Sequence, residues 1–267
     1  MEIESLELIA AKGWRALEEA WLGDWLLRAA AGFTGRANSA LAVGDPGLPL
    51  AEAVAAVRDW YERRGLPAMI AVPYSLPGPP AVSADRFLGT LGWGVRADPA
   101  TVMIASSAAV ARAFSGARAD PGTGIVPAGQ VGIDDVRIDA RPDEAWLALY
   151  HYRGQPLPPI ARRLLLSAPF QAFASVREGD RAVAIGRVAV ADGWAGLTAI
   201  EVSPERRQSG LGTAVTAALA RVAADRGAAR LYLQVADGNA PALALYARCG
   251  FTASHGYRYR VEPGGPL

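Results

Sequence analysis

The 267-residue sequence has almost no cysteine and no surplus of either charge. Cys249 is its sole cysteine, which excludes an intramolecular disulfide and a cysteine zinc cluster; no metal is expected, and a reducing cytoplasm is the natural compartment. Lys and Arg number 27 against 26 Asp and Glu, so there is no basic excess or stripe of the kind that binds nucleic acid. No apolar run approaches the roughly 18 residues that a membrane span requires, and no basic segment followed by an apolar run marks a signal peptide. The expected partner is a small molecule, not a nucleic acid or a membrane.

What is present is the composition of a folded protein, 51% hydrophobic and 20% charged. The length allows one large domain or two small ones. Residues 106–132, rich in Ala, Gly, Pro and Ser around Asp120-Pro121-Gly122, read as a connection between domains or as a long surface loop within one. The division adopted is 1–110, a linker at 111–132, and 133–267, with the two halves read as distant copies of one plan. The first half predicts a helix over 3–21, strands at 25–28 and 37–43, and a helix over 52–64 in which Val54, Val57 and Tyr61 share a face. A strand at 69–72, a helix at 84–91 and a strand at 101–105 follow.

The second half predicts a strand at 136–139, a helix from Pro142 to about 150 and another at 159–166. Three strands come next, at 171–178, 181–191 and 195–202, turned by Glu178-Gly179-Asp180 and Asp192-Gly193. Apolar parity changes within 181–191, which suggests a bulge at Gly186. Helix 210–226, strand 230–235, helix 239–247 and strand 252–260 complete an α/β layer.

Two segments carry chemistry. Arg206-Arg207-Gln208-Ser209-Gly210-Leu211-Gly212 follows a strand and opens a helix whose inner face is Leu211, Val215, Leu219 and Val222. Glycines there let backbone pass close to a ligand, and the free N–H groups of a helix start favour an anion. The third glycine of a dinucleotide fingerprint is missing, and no Gly-Lys-Ser/Thr follows as in a Walker loop. Downstream, Asn239 suits an N-cap, Pro241 a first turn and Gly250 a helix stop. Ala242 and Tyr246 share a helical face; alone, Tyr246 reads as a core aromatic.

Together, Arg-x-x-Gly-x-Gly, a strand, Asn-x-x-Ala-x-x-Leu-Tyr and Gly-Phe resemble the GNAT N-acetyltransferase superfamily, from Val136 to Tyr259. The resemblance implies the GNAT fold, with acetyl-CoA as acetyl donor in a gap between two splayed strands. It implies that the backbone of Val202 binds the acetyl carbonyl or pantetheine amides, and that Arg207, Gln208, Ser209, Gly210, Leu211, Gly212 and Thr213 hold the pyrophosphate. Asn239, with Ala242 in its signature, meets the pantetheine arm, and Tyr246 protonates the departing thiolate. Most of an amine is protonated at neutral pH, so a base or a water chain is useful. Glu201 is the candidate base, or else an exposed strand residue or a partner of Arg206. Cys249 reads as a core residue, and His151 and His255 as surface or helix-end histidines. Alternatively His151, with Tyr150, Tyr152 and Arg153, lines the acceptor pocket.

The first half is read as a degenerate GNAT-like domain that does not bind CoA. Gly44-Asp45-Pro46-Gly47-Leu48-Pro49 lacks the phosphate pattern, and Asp45 has the wrong charge. Gly32-Phe33-Thr34-Gly35-Arg36-Ala37-Asn38-Ser39, with Trp60-Tyr61 and Arg64-Gly65-Leu66-Pro67, is also similar to actinobacterial two-part GNAT proteins, some labelled N-acetylglutamate synthase. Arg28, Arg36 and Asn38 either bind an acidic acceptor or serve as scaffold. The expected activity is acetylation of a small amine or amino acid by direct attack. N-acetylglutamate synthesis and a non-catalytic acyl-CoA sensor or interaction module are the alternatives. The pseudo-repeat fits a monomer with pseudo-dimeric halves or a homodimer.

Overall fold

The computed structural model describes residues 2–77, 83–97, 99–113, 132–151 and 157–265. The N-terminal half runs α1 (Ile3–Gly13), β1 (Glu18–Leu22), β2 (Trp25–Ala29), β3 (Ala40–Leu41), α2 (Leu50–Glu62), β4 (Met69–Ser75), α3 (Ser83–Thr90), β5 (Gly94–Val95), β6 (Ala100–Ser106) and α4 (Ser107–Ala113). The C-terminal half runs β7 (Arg137–Asp139), α5 (Glu144–Leu149), α6 (Ile160–Leu165), β8 (Phe170–Glu178), β9 (Arg181–Ala191), β10 (Trp194–Val202), α7 (Leu211–Asp225), β11 (Arg230–Ala236), α8 (Ala240–Arg248) and β12 (Thr252–Val261).

Each half contains three antiparallel strands, a helix, a strand parallel to the third, another helix and a last strand. The last strands are exchanged. The sheet order is β1-β2-β3-β4-β12-β6-β11-β10-β9-β8-β7, with β5 beside β12. Thus β12 lies between β4 and β6, and β6 lies between β12 and β11. An approximate twofold between β6 and β12 relates the halves, and one sheet runs through both.

On one face α7 is buried nearly all round, through Leu211, Ala214, Val215, Ala217, Ala218, Leu219, Ala220 and Ala223. The inner face expected from the sequence holds for Leu211, Val215 and Leu219, with Val222 packed at its margin. The additional burial comes from α4, which packs on α7 and buries Val110. Small alanines let α7 lie close to the sheet. At Gly186 a Cβ would stand 2.7 Å from Val215 Cγ1 and 2.8 Å from Leu219 Cδ1. On the opposite face, Trp14, Trp146, Tyr150, Leu164, Leu165, Phe173 and Ile185 form a core under α1, α5 and α6.

Several elements differ from the sequence expectation. The helix at 3–21 ends at Gly13; Trp14 turns inward, its indole N–H donating to Thr34 Oγ1 at 3.0 Å, and residues 18–22 form β1 against β2. Hairpin pairing with β2 overrides the helical composition of that segment. The strand at 37–43 shrinks to Ala40–Leu41, after a 3-10 turn at Gly35–Ala37. Asn38 holds that loop: its Oδ1 accepts from the N–H groups of Ala30 and Gly32, and its Nδ2 donates to the carbonyls of Phe33 and Thr34. Arg28 donates to the carbonyl and hydroxyl of Ser39. Both are scaffold. The connection at 106–132 opens as helix α4, and residues 114–131 lie outside the described set. Asp143, rather than Pro142, starts α5, capping it through Trp146 N–H. His255 is fully buried, bonded to Glu7 at 2.8 Å, and is neither a surface nor a helix-end residue.

Gly186→Val should lower unfolding stability by about 1–3 kcal/mol, the usual cost of overpacking. Urea denaturation measures this; an unchanged midpoint would contradict the close approach of α7 to β9.

Candidate active site

β10 and β11 pair in parallel from Trp194↔Arg230 to Leu197↔Leu233 and then part. Beyond that point, β10 carries one residue more than β9: Thr198 faces Arg187, and Glu201 faces Ile185. The bulge therefore lies on β10, opposite the expected Gly186, and Ala199 within it has φ +53°. A second shift leaves Val183 as the extra residue between Ala182 and Ala184. The β10 bulge resets side-chain parity. Glu201 does not share the face of Leu197; it emerges beside α5, where it accepts the His151 N–H at 3.0 Å. Ser203 N–H donates to Val183 O at 2.9 Å. Strand N–H groups alternate in direction, so the Val202 N–H points away from β9, to the side that β11 has left.

The turn after β10 opens at the same mouth. Gln208 and Gly210 have φ of +61° and +83°, and Gly210 is the N-cap of α7. Left-handed residues in such a turn bring successive N–H groups toward one side, forming an anion nest beside the helix N-terminus. Arg206 pairs with Glu178, and Arg181 with Glu205. Arg207 is exposed, and its charge reaches Glu201. Ser209 is buried, its hydroxyl donating to Arg206 O. Thr213, one turn on, is partly buried. Gly212 also permits close packing of α7 on its neighbours: a Cβ there would meet Leu245 Cδ2 at 3.1 Å and Val202 Cγ2 at 3.7 Å.

Asn239 caps α8, its Oδ1 accepting from Ala242 N–H at 3.2 Å. Ala242 is partly buried against the core. Tyr246 packs edge-on to Phe251, with centroids 5.9 Å apart. Burial first, and then Cys249, raise the Tyr246 pKa well above the usual phenol value, so it stays protonated. Burial also pushes the Cys249 thiol up to about 11, in keeping with a core residue and not a nucleophilic thiolate. Burial raises the Glu201 carboxyl, against the opposing pull of the His151 N–H bond. His151 is exposed at the end of α5, and Tyr152 and Arg153 lie outside the described residues. Among the described residues no group of three or more His, Cys, Asp and Glu is placed to hold a metal, and no helix is long and apolar enough to cross a membrane.

Arg187 was not among the residues the sequence singled out. It is fully buried on β9, with Nε donating to Leu165 O at 2.7 Å and Nη1 to Gly13 O at 3.1 Å and Thr198 Oγ1 at 3.4 Å. The available signal was a lone charge inside the apolar run Ala182–Val190.

Comparison with known proteins agrees with this geometry. The family described as "Probable histone acetyltransferase Rv0428c C-terminal" matches residues 1–260. The chain is 28% identical to the "Uncharacterized N-acetyltransferase YobR" of Bacillus subtilis over 98% of this chain and 99% of that one. It is 29% identical to the "Probable histone acetyltransferase Rv0428c" of Mycobacterium tuberculosis, over 96% of this chain and 73% of that one. A GCN5-related N-acetyltransferase from Kribbella flavida has the same fold, with a TM-score of 0.66 at 19% identity, covering 100% and 98% of the two chains. A tandem GNAT protein from the clavulanic acid biosynthesis pathway gives a TM-score of 0.58 at 16% identity, covering 85% and 76%. The chain therefore belongs to the Rv0428c C-terminal family and is an N-acetyltransferase of the GNAT superfamily.

Proposed function

We propose that the chain transfers the acetyl group of acetyl-CoA to the amine of a small molecule by direct attack, in the gap where β10 and β11 part. The observation that carries this is the convergence of three features at one mouth: the parted strands, the outward Val202 N–H, and the nest that opens α7. The backbone from Gln208 to Thr213 binds the pyrophosphate, and Arg207 adds a charge-assisted contact. Asn239 has an amide NH2 that its cap does not use, and this group meets the pantetheine arm. Ala242 leaves room beside it.

Acetyl-CoA supplies an activated acyl group and a thiol leaving group that needs a proton. Val202 N–H donates to the acyl oxygen as negative charge gathers there. Tyr246, held protonated by burial, gives its proton to the departing sulfur. Glu201, or a water chain that it anchors, takes the proton of the attacking amine. The raised carboxyl pKa makes Glu201 a better base than an ordinary surface glutamate. Burial keeps the Cys249 thiol protonated, which fits direct transfer to the amine.

The N-terminal half keeps the plan without the phosphate seat, and we read it as the degenerate member of the pair, covering 1–110. Its β3 and β4 part after Leu41↔Ala71, and a cleft of about 460 Å³ opens there. Glu4 and Asp45 line it, with Pro46 lacking an N–H and Pro49 capping α2. That lining disfavours a diphosphate. One chain supplies both halves of the pseudo-dimer, and the activity is assigned to the cytoplasm.

Three measurements test this reading. Tyr246→Phe should lower kcat by about 10²-fold or more, with acetyl-CoA affinity retained by calorimetry; an unchanged kcat removes Tyr246 as the acid. Glu201 acts only when ionised, so activity should fall as pH drops through its raised pKa. Glu201→Gln should flatten that acid limb in the pH profile of kcat, and persistence of the limb assigns it elsewhere. Arg207→Glu should raise the KM for acetyl-CoA roughly tenfold or more, the scale of a charged hydrogen bond, with Tm unchanged. An unaltered KM would remove the phosphate role.

A further inference from the structure

β10 and β11 last pair at Leu197↔Leu233, and both leucines pack in the core of α7. Side chains alternate along a strand, so the next residues, Thr198 and Gln234, face the other side of the sheet. Their partners on the flanking strands agree. Thr198 stands opposite Arg187, and Gln234 opposite Val102, which packs with Leu6 and Ala10 of α1. Thr198 and Gln234 thus flank the apex of the gap, one on each strand, on the side where Glu201 emerges. Both are partly exposed.

Each is held from behind by an arginine. Arg187 is fully buried and donates from Nη1 to Thr198 Oγ1 at 3.4 Å. Its other bonds, to the carbonyls of Leu165 and Gly13, anchor it on the ends of α6 and α1. Arg36 is carried over from the first half by the 3-10 turn Gly35–Ala37 and donates from Nη1 to Gln234 Oε1 at 2.8 Å. Trp14 steadies the pair: its indole is bonded to Thr34 Oγ1, and both guanidinium carbons stand 5.2 Å from its ring centroid.

A guanidinium donates and never accepts. The bond from Arg187 therefore uses a lone pair of the Thr198 hydroxyl and leaves its hydrogen for another acceptor. The bond from Arg36 uses the amide oxygen of Gln234 and turns its NH2 the other way. Burial brings the Arg187 pKa down to about 10, so it stays charged at neutral pH and the polarity persists. Among the described residues no acceptor meets the Thr198 hydroxyl hydrogen or the Gln234 NH2. Two neutral donors of fixed polarity look onto one end of the gap.

Resting on the acetyl-transfer reading above, we infer that Thr198 and Gln234 determine specificity by holding a neutral oxygen of the acceptor. The substrate is then an amine with a hydroxyl or ether oxygen a few bonds from its nitrogen, an amino alcohol or an amino sugar. With that oxygen at the apex, the amine lies outward along β10, toward Glu201. Arg187 and Arg36 are positioning residues that act through Thr198 and Gln234. A hydrocarbon amine in the same place strips water from two donors and offers them no acceptor. The N-terminal half, without a phosphate seat of its own, shapes the specificity of the other half through Arg36.

The test compares 2-methoxyethylamine with n-butylamine and glucosamine with cyclohexylamine, pairs of like frame that differ in oxygen, and adds spermidine. Two readouts are taken on the full chain: thiol release from acetyl-CoA, and calorimetric binding of each amine to the protein saturated with CoA. Oxygen also lowers the basicity of an amine. The quantity read is therefore the kcat/KM ratio within a pair, compared between native and variant chains, where basicity cancels. The native chain should favour the oxygenated member of at least one pair. Thr198→Val and Gln234→Glu should each cut that preference roughly 3- to 10-fold, the scale of a neutral hydrogen bond, while the KM for acetyl-CoA and the Tm stay put. Gln234→Glu keeps an oxygen for Arg36 and replaces the NH2 by a second acceptor. Arg36→Met should cut the preference too, although Gln234 remains, because the freed amide turns either way. A preference unchanged in either Thr198→Val or Gln234→Glu overturns the inference, as does faster turnover of the hydrocarbon amines or spermidine by the native chain. Failure of every amine to bind the CoA complex overturns it as well. A binding preference for the oxygenated amines that the variants lose, without any thiol release, supports the apex site and counts against the acetyl-transfer reading instead.

Discussion

A β-strand leaves unpaired N–H and C=O groups along each edge, and a buried edge must find partners. In this chain the two halves meet that requirement for each other. β6, built from the first half, supplies the neighbour of β11; β12, built from the second, supplies the neighbour of β4. Neither half closes its own sheet, so the first half is structurally part of the second whatever ligand it does or does not hold. The exchange also brings the loop at 35–37 to β11, where no local interaction would have placed it.

The gap at the centre of the C-terminal half is a product of local misfit maintained by that sheet. β10 has one residue too many for β9, and the surplus at Ala199–Ile200 turns the strand so that Glu201 and Val202 face directions that simple alternation would not give them. β11 meanwhile is held along its other edge by seven consecutive partners on β6, from Arg230↔Ser106 to Ala236↔Ala100. One strand swings and its neighbour cannot follow. The Val202 N–H is thereby left facing the gap.

Beneath the bend, Arg187 joins elements remote in sequence: α1 from the first half, α6 and β10 from the second. A charge in a closed apolar layer is costly unless it is hydrogen-bonded. Here the ends of two helices provide the acceptors. Removing either helix would strand the guanidinium, so this face of the sheet depends on both halves as much as the sheet does.

Much of the C-terminal half was legible in the sequence. The meander at 170–202, the glycine turn before α7, the Asn239 cap and the Gly250 stop are written in local patterns of period, turn chemistry and capping, which act over a few residues and leave a mark there. The same local logic recovered α2 and α3. It failed at β1, where a helix-compatible segment was drafted into a hairpin, and at α4, hidden in a stretch without a clear period. Counting parity along a regular strand would put Glu201 on the face of Leu197, and the bulge breaks that count. The sequence alone determined most of the elements, the glycine turn before α7 and the superfamily resemblance, because each is encoded by contiguous residues. Only the tertiary structure decided the exchange of β6 and β12, the burial of His255 with Glu7, and the meeting of Arg36, Arg187, Trp14 and Gln234. Those depend on which edge pairs with which across more than a hundred residues of chain, and pairing at that range is settled by the collective burial of the whole sheet rather than by any short run of side chains.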